Sequence, residues 1–238
     1  ILSFRNVVPR ATAAPLMARP SIYLGDAYEK DGQMARAIEA YEHALTRDTN
    51  FAPLYLRLGK VLLQVEQRQR ALKTLIRGTE LDDNNADMWG ARAEAHRQDG
   101  QWQESLEAYL HAVALRPDDD VLHNNLGNTY QILKRPQEAL RHHLLALEIK
   151  PSDPRTYVNL GNAHSMLGQG QEALAAYARA VEWGPDYAGA WLSYASALEQ
   201  AGAIQQALAA YARAGQLDPA YSEYAERQIN KLRGDLRD

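Results

Sequence analysis

Asn125 and Asn159 stand 34 residues apart, as do Asn128 and Asn162, and Asn124 sits beside the first pair. Each carboxamide carries both a donor and an acceptor. A row of such groups can hydrogen-bond the backbone of an extended peptide without reading its side chains. That chemistry is binding, not bond breaking. Each contact contributes about 1 kcal/mol net, so apolar anchors or a large contact area must stand beside the amides to reach micromolar affinity.

Arg57, Lys60, Arg97 and Arg155 also fall on the first helical pattern of their repeats, interleaved with Asp26, Asp87 and Glu94. A mixed charged face either selects a polar or charged partner or is an ordinary solvated surface. Arg92 takes a place that Leu58, Leu126 and Leu160 hold elsewhere; its long stem can cover apolar surface and free its head.

Catalytic and cofactor chemistry finds little support. There is no cysteine, hence no disulfide, thiolate nucleophile or thiolate-bound zinc. The seven histidines form no HExxH motif. His96, His123, His143 and His164 recur at places held elsewhere by aromatic residues, and read as core rings. Ser165 beside His164 is no triad, because neighbours on a helix do not face each other. The run Gly168-Gln169-Gly170-Gln171-Glu172-Ala173 meets the loose dinucleotide fingerprint, but it follows a helical pattern where that fingerprint needs a strand. The expectation is a non-enzyme with no cofactor and no metal.

Net charge is -4, which argues against a nucleic-acid partner, since that needs a basic face. No apolar run approaches the roughly 20 residues that span a bilayer. The chain begins at Ile1, not Met, which fits a processed form or an excised fragment. The compartment, cytoplasmic or periplasmic, is left open. Arginine outnumbers lysine, a composition that fits a bacterial source.

What positions the amides is a repeat. Gly25, Gly59, Ala93, Gly127, Gly161 and Ala195 recur every 34 residues. In the clearest unit, Tyr157, Leu160, Gly161 and His164 mark one helical face, and Ala173, Tyr177 and Ala180 a second. Gly168 between them suits a helix exit with positive φ, and Pro185 cannot continue the second helix. Gly161 and Ala173 let paired helices approach closely. Tyr41, Leu75, Tyr109, His143 and Tyr211 match Tyr177; Trp89, His123 and Trp191 match Tyr157.

This pattern of aromatic, Leu-Gly, Ala, Tyr, Ala and Pro resembles the tetratricopeptide repeat family. The resemblance implies an all-α, right-handed α-solenoid superhelix of six helix-turn-helix repeats, starting near 18, 52, 86, 120, 154 and 188 and spanning 18–221. Residues 1–17 read as an irregular arm. Residues 222–238 read as a capping helix with Ala225, Ile229, Leu232 and Leu236 as its apolar stripe. The resemblance further implies peptide or protein binding in a concave groove lined by the first helices. The paired asparagines are similar to the asparagine ladder of O-linked N-acetylglucosamine transferases in that family. Chaperone-binding members hold a C-terminal carboxylate with cations. Here Asn124, Gly189 and Ser193 stand at the cationic places, so that specificity is not implied.

The expected function is an interaction scaffold whose groove, from Asn124 to Asn162, holds an extended segment of a partner protein. Two rivals remain at this stage. One is an assembly subunit of a larger, envelope-associated complex or a homo-oligomer. The other is the regulatory region of a longer enzyme.

Overall fold

Every helical hairpin turns at the same phase of the repeat. Gly32, Gly100, Gly168 and Gly202 take φ between 72° and 77° there, while Glu66 and Lys134 take φ of 58° and 60° at the matching places. The next N–H then bonds back past the turn, as Gln169 N does to His164 O at 3.0 Å and Arg135 N to Tyr130 O at 2.9 Å. That six-to-one bond closes the helix, because a left-handed residue is what lets the chain reverse and cover the last carbonyls.

A computed structural model describes residues 19–235. The proposed arm at 1–17 and Leu236 lie outside them. The chain divides into two compact units, Ile1–Ala108 and Tyr109–Asp238. The first holds α1 (Arg19–Lys30), α2 (Met34–Arg47), α3 (Ala52–Gln64), α4 (Arg68–Leu81) and α5 (Ala86–Gln98). The division falls inside α6 (Trp102–Leu115). The second continues with α7 (Asp120–Ile132), α8 (Pro136–Ile149), α9 (Pro154–Met166), α10 (Gly170–Trp183), α11 (Ala188–Gln200), α12 (Ile204–Leu217) and α13 (Ser222–Asp235). A short 3₁₀ turn, Pro219–Tyr221, precedes α13. No strand occurs among the described residues, and no helix there is long and apolar enough to cross a membrane.

Within each unit there are paired helices, α3–α4 and α9–α10 among them, that meet through glycine. A Cβ on Gly59 would lie 2.4 Å from Leu75 Cδ2, and one on Gly161 would lie 2.5 Å from Tyr177 Cε1. Small residues on one helix thus seat a large one from the next, which is how a thin core reaches native density. In the first unit Tyr41, Leu54, Leu62, Leu75 and Met88 are fully buried. In the second, Ala195, Leu198, Tyr211, Ala225 and Leu232 share one cluster, so α13 closes the apolar edge of α12.

A second recurring device starts the first helices. Tyr55, Trp89, His123 and Trp191 each reach back six residues to a backbone carbonyl: Thr49 O at 2.8 Å, Asp83 O at 2.9 Å, Pro117 O at 3.0 Å and Pro185 O at 2.8 Å. In these four helices the place holds a flat ring with a donor at its far end. Tyrosine, tryptophan and histidine all supply one. Among these helices, α7 and α9 also begin with an aspartate cap: Asp119 accepts from Leu122 N at 3.0 Å and Asp153 from Thr156 N at 3.1 Å, satisfying backbone donors that helix geometry leaves open.

Candidate functional site

On α7, Val121, Asn125, Asn128 and Ile132 fall at i, i+4, i+7 and i+11, and therefore on one helical stripe. On α9 the matching stripe is Arg155, Asn159, Asn162 and Met166, and on α11 it is Gly189, Ser193, Ser196 and Gln200. These are the first helices of successive hairpins in the second unit. The repeat spacing and the helix period together put the paired asparagines in matching positions.

The asparagines are not equivalent. Asn159 Nδ2 donates to Asn124 Oδ1 at 3.0 Å, and Gln131 Nε2 donates to Asn159 O at 2.6 Å. Tyr177 OH donates to Asn162 Oδ1 at 2.7 Å. Asn124, Asn159 and Asn162 thus already spend part of their capacity inside the protein. The carboxamides of Asn125 and Asn128 are half-buried and make no hydrogen bond among the described residues. Val121, Ile132 and Met166 are exposed apolar side chains on the same stripes.

Tyr177 shows a feature that sequence reasoning missed. Its ring passes over Gly161, so its hydroxyl emerges on the first-helix face, and burial pushes its pKa up to about 12. Tyr41 does the same in the first unit, with its hydroxyl 2.8 Å from Asp26 Oδ1 and 2.8 Å from Glu29 Oε2. Burial, then those two acceptors, hold its proton on well above the usual phenol range. Tyr211 OH donates to Glu199 Oε2 at 2.8 Å, and burial followed by Glu199 raises it likewise. The signal was present in the sequence: each such tyrosine has an acceptor 15 or 12 residues earlier. Where Leu75 stands instead, the matching residue is Lys60, which has no acceptor to offer.

His143 occupies the same place over Gly127. Asn124 Oδ1 already accepts from Asn159, so His143 Nδ1, 3.1 Å away, carries the hydrogen and donates to it. His143 Nε2 is buried without a hydrogen-bond partner. Protonating it would strand a charge and a donor in the core. Burial, helped by His142, pulls its pKa down to about 3. Its neighbour His142 stacks between His123 and Tyr130, at 5.3 and 5.5 Å between ring centres. His123 gives its Nε2 hydrogen to Pro117 O, so its Nδ1 accepts from His142 Nδ1 at 3.0 Å. Burial, then His123, lowers His142 to about 4. His96 and His123 are buried as core rings, but His164 is only half-buried, with its Nδ1 2.7 Å from Gln169 Oε1. No group of three metal-ligating side chains forms among the described residues.

In the first unit two of the basic candidates have partners of their own. Arg57 pairs with Asp26, and Arg97 grips Glu94 through two bonds of 2.7 and 2.6 Å. Lys60 is exposed on α3, as Arg155 is on α9. Exposed pairs of this kind contribute roughly 0–1 kcal/mol. The Arg92 head is not free, as its sequence place suggested. It lies 4.9 Å above the Trp89 ring and donates to Thr79 Oγ1 at 3.0 Å.

A pocket of about 760 Å³ opens between α9, α10, α11 and α13. Asn162 is the one candidate amide that lines it; Tyr224 of α13 forms part of the wall. The sequence pattern of α13 gave no role to Tyr224.

A family model described as "Tetratricopeptide repeat" matches residues 22–217. The DnaJ homolog subfamily C member 3 homolog of Dictyostelium discoideum is 34% identical over 95 residues, 40% of this chain and 18% of the relative. The match thus spans under a fifth of that protein. Among solved structures, "Functional Characterization of Pseudomonas Aeruginosa pilF" aligns at 19% identity over 90% of this chain and 97% of that one, with a TM-score of 0.74. MamA aligns at 24% identity over 72% of this chain and 94% of that one, with a TM-score of 0.66. YrrB, a TPR protein with an unusual peptide-binding site, aligns at 21% identity over 80% of this chain and 99% of that one, with a TM-score of 0.63. At these identities the likeness is one of fold. Repeat phase, hairpin geometry and the span of the family model agree: this all-α chain of stacked helical hairpins belongs to the tetratricopeptide repeat family.

Proposed function

We propose that the chain is a non-catalytic scaffold that holds an extended segment of a partner protein on the first-helix face of its second unit. The carrying observation is the stripe on α7, where Asn125 and Asn128 keep unused carboxamides between exposed Val121 and Ile132. Amides there can pair with a peptide backbone, and the flanking apolar side chains supply anchors. Full burial of one such side chain contributes roughly 1.5–3 kcal/mol, more than one amide bond. Asn124, Asn159 and Asn162 then act mainly to hold the face in shape, with Arg155 at its edge. Arg57, Lys60 and Arg97 lie on α3 and α5 of the first unit. The unusual peptide-binding site of YrrB is a property of that protein, and it lends this reading support by kinship of fold.

The test uses partners captured on the immobilised chain and then measured individually. Asn125→Ala with Asn128→Ala is the cleaner variant, because neither residue holds an internal side-chain bond. We expect it to weaken partner binding by about tenfold, the effect of roughly 1.4 kcal/mol, at unchanged thermal stability. Arg179→Ala, on α10, serves as the control. Partners lost with Arg179→Ala and kept by the double variant would move binding to the second-helix face and favour the assembly-subunit reading.

A further inference from the structure

We infer that the pocket at the C-terminal end of the second unit takes an uncharged, hydrogen-bonding stretch of peptide, with Tyr224 as part of the site. This rests on the peptide-binding reading above and names what that face selects.

The inference comes from what lines the pocket. None of its fifteen described lining residues carries a charge. Hydroxyls and amides supply its polar surface, chiefly Ser165, Ser193, Ser196, Gln171 and Gln200, with the rings of Tyr177 and Tyr224 beside them. The volume falls in the range of pockets that enclose ligands. Groups that both donate and accept suit a peptide backbone or a Ser, Asn or Gln side chain. A charged side chain entering there would lose water and meet no counter-charge.

The neutrality is built, not incidental. Glu199, next to Gln200, is one of the neighbouring carboxylates, with exposed Glu172 beside Gln171 and Glu223 beside Tyr224. Glu199 is drawn away by Tyr211 OH at 2.8 Å and by Lys231 Nζ at 3.2 Å, the latter from α13. Tyr177 OH points at Asn162 Oδ1, which leaves the Asn162 Nδ2 hydrogens for an acceptor in the pocket. Ser193 Oγ donates to Gly189 O at 3.0 Å, so its lone pairs are what it can offer a ligand. The stripes repeat the contrast. Among the stripe positions on α7, α9 and α11, Arg155 alone is charged, whereas α3 carries Arg57 and Lys60 and α5 carries Asp87 and Glu94. α13 therefore does more than cover α12: it supplies an aromatic wall through Tyr224, 45% exposed, and a cation that occupies Glu199.

Three labelled decapeptides with one Gly-Ser framework test this by fluorescence anisotropy on the full chain. Their central residues are Asn-Gln-Tyr, Asp-Glu-Asp or Lys-Arg-Lys. The neutral peptide should bind at least about tenfold more tightly than either charged one. Tyr224→Ala should weaken it about fivefold or more, and Gln200→Glu, which keeps shape and adds charge, should shift preference to the basic peptide. Equal or tighter binding of a charged peptide overturns the inference, as does an absence of saturable binding up to about 1 mM. Neutral-peptide binding that Asn125→Ala with Asn128→Ala abolishes, and Tyr224→Ala and Gln200→Glu leave intact, keeps the face and refutes the pocket. Binding that none of these variants changes refutes both.

Discussion

Gly161 lies directly beneath the Tyr177 ring, so close that a Cβ there would stand 2.5 Å from Cε1 and 2.7 Å from Cδ1. The ring is buried in the α9–α10 core and its hydroxyl bonds to Asn162, so making room for a methyl means shifting packed groups. Gly161→Ala should therefore lower stability by about 1–3 kcal/mol, the usual cost of overfilling a core. Gly170 offers the contrast, because a Cβ there meets nothing within 4 Å and its φ is not positive. Gly170→Ala should be neutral or stabilising by up to about 1 kcal/mol. Chemical denaturation of both variants checks the pair.

Lys134 and Glu66 sit where four other hairpins place glycine, with φ of 60° and 58°. Both are exposed, and Glu66 also pairs with Arg68 at 3.7 Å, so Lys134 is the cleaner place to read backbone strain. Lys134→Gly should raise stability by about 1 kcal/mol, part of the αL strain being offset by glycine's greater freedom when unfolded. A fall in midpoint would show that the lysine makes a contact worth more than the strain.

His143 gives stability a pH dependence. Its folded pKa of about 3 lies below the ordinary 6.5, so the unfolded chain binds a proton that the folded chain refuses. Stability is then full above pH 6.5 and falls as the pH drops toward 3. At pH 5 the loss from this one ring is about 2 kcal/mol. His143→Tyr, which copies Tyr177 over Gly161, should flatten the curve between pH 4 and 6.5. Parallel curves for wild type and variant would show that His143 is not the group responsible.

His123 is a ring that must also donate. His123→Phe keeps the shape but leaves Pro117 O and His142 Nδ1 without their partner, costing roughly 1–3 kcal/mol. His123→Trp restores a donor toward Pro117 O, as Trp191 has toward Pro185 O, and should lose less. The melting temperatures of the two variants decide the order.

The hairpins were legible because their markers are local. A small residue under a large one, a glycine at the turn and a proline at the exit repeat in phase, and each speaks for its own few residues. The paired asparagines were legible for the same reason. Their inequality was not. Asn159 reaches Asn124 across 35 residues, and Tyr177 reaches Asn162 over a glycine; only packing decides which amide is consumed. Tyr224 escaped notice because its helix reads as a cap, and a cap's sequence carries no sign of the pocket it borders. Arg92 looked unpaired in a leucine place because Thr79 comes from α4, although the Trp89 ring stands one turn earlier on its own helix.

The central claim is that a partner segment lies along the first helices of the second unit. Site-specific photocrosslinking tests it most directly, with a benzoyl-phenylalanine placed at Asn128 in one preparation and at Arg179 in another. Crosslinks to the partner from position 128 and none from 179 are the predicted result. Crosslinks from 179 alone, or from neither position with the partner bound, would contradict it.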